Sequence, residues 1–113
     1  MTANICLFQR CLMIKKWQHI LKIKDWDITT KLLDLKNVSI EYNGHKYFVG
    51  IERNFNTKKA VIYHDRELTE EDVIHELLHI VFPKPNSDEV YEDYEQWIAD
   101  VAQNLNQIKN QII

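Results

Sequence analysis

Several things that this chain nearly lacks narrow what it can be. Its 113 residues include only two glycines. Neither sits in a glycine-rich loop, so a loop that cradles phosphates with bare backbone amides is excluded. There are two cysteines, Cys6 and Cys11. They lie too close together to clamp a loop of any size, which speaks against a secreted-type disulfide framework and for reduced thiols. No apolar run approaches the about 20 residues of a membrane-spanning helix, so no membrane partner is expected. Ile5 to Phe8 is short, and Arg10 interrupts before Cys11 to Ile14, so no signal peptide is read and a cytoplasmic location is expected. An excess of basic charge is also missing. The formal net charge is −3 and no basic stripe is present, which argues against a nucleic-acid partner. Repeats, linkers and low-complexity tracts are absent.

What is present suits one small globular domain. Hydrophobic residues make up 45% of the chain and charged residues 27%, enough for one core, with no length left for a second. Residues 1–113 are therefore read as a single domain, with 1–12 as an N-terminal extension ahead of Met13. From Met13, MIKKWQHILKI has apolar residues at helical spacing. Trp26, Ile28 and Thr30 then alternate with polar neighbours, as in a short strand. Val38 to Tyr42 alternates as well, Asn43-Gly44 is a two-residue hairpin signal, and Lys46 to Glu52 reads as the returning strand. Gly50 within it suggests a bulge or a close approach. Ala60 to His64 is the next strand, expected at the sheet edge, where it could take an extended peptide by strand addition. Two helices follow. The fold class is α+β: an N-terminal helix, a small antiparallel sheet of three to four strands, a motif-bearing helix and a C-terminal helix.

The chemistry concentrates in Thr69 to Phe82, TEEDVIHELLHIVF. It contains His75-Glu76-Leu77-Leu78-His79, an H-E-x-x-H match. Residues four apart on a helix stack on one face, so two neutral imidazoles can reach one metal ion. Glu76 is one step round from His75 and can take a proton from water activated there. The motif needs a helix, and its surroundings specify one. Thr69 is a good N-cap, with Asp72 in capping-box position. Glu70, Glu71 and Asp72 put negative charge in the first turn, and Pro83 ends the helix.

Two histidines leave zinc one protein ligand short of a catalytic site. The extended motif HExxHxxGxxH is excluded, because Phe82 and Pro85 stand where it needs Gly and His. The other common solution is a carboxylate from the next helix, with Asp88, Glu89, Glu92, Asp93, Glu95 and Asp100 as candidates. Antiparallel helices joined by a short turn place the matching height near residue 94. The apolar stripe of that helix centres on Tyr94, Ile98 and Val101. Glu95 lies about 100° from the centre and Glu92 about 160°. Glu95 is the favoured third ligand and Glu92 the alternative. Tyr63, His64, Tyr91 and Tyr94 are candidates to stabilise an oxyanion.

This capped H-E-x-x-H helix, preceded by a strand and followed by an acid on the next helix, resembles the gluzincin class of zinc peptidases. Its small size makes it similar to the minimal members, the minigluzincins and related phage-associated HExxH proteins. The resemblance spans roughly Trp17 to Leu105. It implies a zincin-like fold, Zn2+ as cofactor, His75, His79 and Glu95 as ligands, Glu76 as general base and a peptide or protein as substrate. One position departs from the larger gluzincins, which often carry an Asp four residues after the ligand Glu; here that residue is Ala99. The alternative function is a latent or non-catalytic zinc-binding interaction module. The C-terminal stretch Asn104 to Ile113 ends in apolar residues and is expected to pack on its own domain or a neighbouring copy. It would then either cover the cleft or dock on the N-terminal helix.

Overall fold

The H-E-x-x-H helix forms where its capping signals place it. In the computed structural model of the chain, α2 spans Glu70–Val81 and Thr69 is its N-cap. The Thr69 hydroxyl accepts from the Asp72 amide at 3.1 Å, and the Asp72 carboxylate accepts from the Thr69 amide at 2.9 Å. Arg66 holds the same carboxylate with two nitrogens, at 2.6 and 3.0 Å. One capping box satisfies two amides that have no partner within the helix. The structure describes residues 2–33, 49–84 and 91–112, apart from the side chains of 2–8, 91, 92 and 112. The strand expected at Val38 to Tyr42, the Asn43-Gly44 turn, and the acids Asp88 and Glu89 lie outside them.

The element order is α1 (Thr2–Ile20), β1 (Asp27–Leu32), β2 (Val49–Asn54), β3 (Lys59–His64), α2 and α3 (Tyr91–Ile112). Among the described residues the architecture is α+β, with three helices and a three-stranded mixed sheet. Helix α1 begins well before Met13, so most of the expected extension continues the helix. Arg10 is docked, its guanidinium 3.0 Å from Thr30 Oγ1 and 3.1 Å from His64 Nε2.

The sheet corrects two expectations. Its order is β1-β3-β2, so β3 is the central strand and pairs on both sides. It cannot be the edge that receives a peptide. The sheet is also not wholly antiparallel, because β1 runs parallel to β3. A tight hairpin forces antiparallel pairing only between consecutive strands. The turn that does this is 55–58, between β2 and β3, where the Asn54 carboxamide oxygen accepts two amides and Lys58 takes a left-handed φ of 55°. The β2–β3 register runs unbroken from Val49 to Asn54, so Gly50 marks no bulge. β3 alternates Ala60, Ile62 and His64 inward. These inward residues meet a core of Trp17, Val73, Ile74, Leu77, Leu78 and Ile98, all essentially inaccessible to solvent.

Candidate metal centre

Helix α2 is buried on more than one face. Besides its apolar residues, Glu76 and His79 are buried, at 4% and 8% exposure. Burying a carboxylate and an imidazole costs free energy unless something compensates. The compensation for the histidine comes from α3, packed along α2. His75 Nε2 and His79 Nε2 each lie 3.7 Å from an oxygen of Glu95. The ligand atoms of His75, His79 and Glu95 all fall within 4.8 Å of one another. Ligands about 2.1 Å from a tetrahedral zinc are about 3.4 Å apart, so the two contacts to Glu95 need little adjustment. This group could hold a metal ion.

Three of the candidates for the third ligand can be compared. Glu95 is brought to the histidines, whereas Asp93 and Asp100 are exposed. The Asp100 carboxylate accepts instead from Gln96, at 3.0 Å. The Glu92 side chain lies outside the described residues.

Glu76 lies close enough to Glu95 to feel its charge. The Oε2 of Glu76 is buried with no hydrogen-bond partner. Burial first, then the nearby carboxylates of Glu95 and Asp72, push its pKa up to about 8, against the opposing pull of Arg53. His79 moves the other way. Burial first, then His75 and Arg53, bring it down to about 4, so its ring is neutral at pH 7 and available as a ligand. Two imidazoles facing one carboxylate, with a second, unpartnered buried carboxylate near it, are the donor chemistry that a divalent cation and a polar guest would complete. The residues present therefore fit a metal.

Two groups at the end of α2 have contacts that the sequence reading did not anticipate. Pro83 has no amide hydrogen, so the carbonyl of His79 loses the donor that would close the next helical turn. Arg53 of β2 replaces it, donating to His79 O at 2.6 Å. Tyr94, adjacent to Glu95 in α3, donates its hydroxyl to Phe82 O at 2.5 Å and sits 3.0 Å from His79 Nδ1. Pro83 was a visible hint that a carbonyl four residues back needs an outside donor. Nothing local pointed to Arg53 as the source.

Two of the other oxyanion candidates are engaged as well. His64 is buried, donating from Nδ1 to Arg66 O at 2.7 Å and leaving Nε2 to accept from Arg10. The Tyr63 hydroxyl binds Glu52 at 2.9 Å, and its strand position is opposite in sense to the inward Ile62 and His64. The Tyr91 side chain is outside the described residues. No helix among the described residues is long and apolar enough to cross a membrane.

Comparison with family models, curated proteins and solved structures found no match to this chain.

Proposed function

We propose that this chain is a small zinc-dependent metallopeptidase of the minimal gluzincin kind. In this reading His75, His79 and Glu95 are the ligands and Glu76 is the general base. The observation that carries it is the convergence of three ligand atoms from two helices, with a buried, unpartnered carboxylate oxygen on Glu76 of the same motif. Structural zinc sites generally close with four protein ligands, whereas catalytic ones take three and leave a position open. The group among the described residues has three members.

When bound, zinc supplies a water of lowered pKa and a Lewis acid for the peptide carbonyl. The protein's own part is positional and protonic. Helix α2 sets the two imidazoles one turn apart and α3 brings the carboxylate across. Glu76 has a buried oxygen without a hydrogen-bond partner and lies near Glu95, so in this reading it accepts a proton there and returns it to the leaving amine. Beside a divalent cation its charged form is favoured, which places it in the range of a base working near neutral pH.

The test is metal content followed by proteolysis. Protein loaded at neutral pH is expected to carry one zinc per chain, lost in His75→Ala, His79→Ala and Glu95→Ala. The loaded parent is expected to cleave a casein-like substrate. No bound zinc in the parent would overturn the site. Stoichiometric zinc without hydrolysis would replace the peptidase by a metal-clipped interaction module.

A further inference from the structure

A neutral histidine has two nitrogens and one ring proton, and only the bare nitrogen can bind a metal. On H-E-x-x-H histidines a wrong tautomer turns the ligand atom into a donor. Something has to choose between the two forms, and at His79 the choice can be read from the neighbouring hydroxyl.

Tyr94 has one hydroxyl hydrogen. Phe82 O can only accept, and it lies 2.5 Å from the tyrosine oxygen, so the hydrogen is committed to that carbonyl. The tyrosine oxygen is left with lone pairs. Arg53, a pure donor, lies beside the same hydroxyl. His79 Nδ1 stands 3.0 Å from this oxygen and must therefore carry the ring proton, because two acceptors would otherwise face each other in a buried place. Nε2 is then bare, and Nε2 is the atom that lies 3.7 Å from Glu95 Oε1. Tyr94 and His79 are 9% and 8% exposed, so bulk water competes poorly for either group. Their rings meet edge-on, with centroids 5.5 Å apart, which restricts rotation of the imidazole.

We propose that Tyr94 is a positioning residue that locks His79 in the Nδ1–H tautomer and aims its Nε2 lone pair at the metal before the metal arrives. The proposal rests on the metal-centre reading of His75, His79 and Glu95. A single stretch of α3 thus does two things: Glu95 contributes a ligand, and its neighbour Tyr94 readies another. The hydroxyl takes the place of the carboxylate that commonly orients a metal-binding histidine. The chain of contacts runs from the end of α2, through Phe82 O and Tyr94, back to His79 within the same helix. His75 is more exposed, and among the described residues no hydrogen bond to its Nδ1 is found, so the two histidines are prepared unequally.

The test uses Tyr94→Phe, which keeps the ring and removes the hydroxyl. Long-range nitrogen–proton NMR spectra of the full-length, metal-free parent at pH 7.5 should show His79 protonated on Nδ1. In the variant the signals should move to a mixture of tautomers or to Nε2–H. Zinc affinity, measured by competition with a chromogenic chelator, should fall about 10- to 100-fold. An Nε2–H signal for His79 in the metal-free parent would overturn the proposal, and that measurement needs no variant to fold. A variant that melts earlier but keeps both the tautomer and, within twofold, the zinc affinity would also overturn it, leaving Tyr94 as a cap on Phe82 O alone. Failure of the parent to bind zinc would sink the metal centre itself, whereas the metal-free spectra would still decide whether Tyr94 sets the tautomer.

Discussion

Glu76 is held where a carboxylate is least comfortable. One oxygen has no partner, and burial, Glu95 and Asp72 together push its pKa up to about 8. The sign of the consequence is definite. An unfolded glutamate ionises near pH 4.5, whereas folded, metal-free protein keeps Glu76 protonated up to about 8. Stability contributed by the neutral form is complete below 4.5 and declines as pH rises from 4.5 towards 8. Glu76→Gln is isosteric and cannot ionise. It is expected to stabilise the metal-free protein at pH 7.5 by roughly 1–3 kcal/mol in urea unfolding, with little effect at pH 4. On the proposed reading Glu76 is not a ligand, so the same variant should retain zinc and lose hydrolysis. Unchanged cleavage by Glu76→Gln would remove Glu76 as the base, whatever its stability.

At the scale of the element, the end of α2 is unusual in how its carbonyls are satisfied. Helices commonly close with a residue in the left-handed region, often glycine. Here Phe82 is the C-cap with φ −122° and Pro83 follows, so the last turn borrows donors from other elements. The Phe82 amide returns to Leu78 O at 2.8 Å, Arg53 serves His79 O, and Tyr94 serves Phe82 O. The termination signal and the fixing of the turn that carries His79 are therefore one arrangement. Removing the Arg53 donor leaves a partly buried carbonyl unmet. Arg53→Ala is expected to destabilise the protein by about 1–3 kcal/mol. A change below about 0.5 kcal/mol in chemical denaturation would mean that solvent meets His79 O without help.

For the whole molecule, Glu70 joins the three helices. Its carboxylate in the first turn of α2 accepts from Trp17 Nε1 at 2.7 Å, from Lys16 at 2.5 Å and from Lys109 at 2.9 Å. Burial alone would raise its pKa, but Lys16, Lys109 and Trp17 outweigh it and bring the value down to about 2. A depressed carboxylate pKa contributes stability in full above the unfolded value of about 4.5. That contribution is lost as pH falls towards 2. Glu70→Gln should therefore lose roughly 1–2 kcal/mol at pH 7, allowing for the solvent-screened lysines. It should also flatten the acid side of the stability profile between pH 4.5 and 2.5.

The Lys109 contact also places the C-terminal stretch. Lys109 follows Glu95 by 14 residues in one continuous helix, which is about 21 Å at 1.5 Å per residue. The tail thus docks beside α1 and the start of α2, and does not fold over the cluster of its own chain. Truncation after Leu105 is expected to lower the melting temperature and leave hydrolysis per folded molecule unchanged. A several-fold rise in activity would show that the tail covers the site of a neighbouring copy.

What the sequence determined by itself is local. The N-cap at Thr69, the reciprocal Asp72 contact, the stop at Pro83 and the one-face placement of His75 and His79 all follow from interactions within four residues along one helix, and each is present. The proximity of Glu95 to the two histidines was legible too, because a short connection leaves two neighbouring helices little freedom in height or facing. The order of the sheet was not legible. Alternation says that Lys59–His64 is a strand, but its neighbours are chosen by the packing of the whole sheet, which put it in the centre between β1 and β2. Arg53 and Tyr94 belong to the same class. Whether a guanidinium on β2 reaches a carbonyl of α2, or a phenol on α3 reaches an imidazole, depends on how separate elements pack. Only the tertiary structure decides such contacts, because groups 15 to 26 residues apart share no local geometry until the core has brought them together.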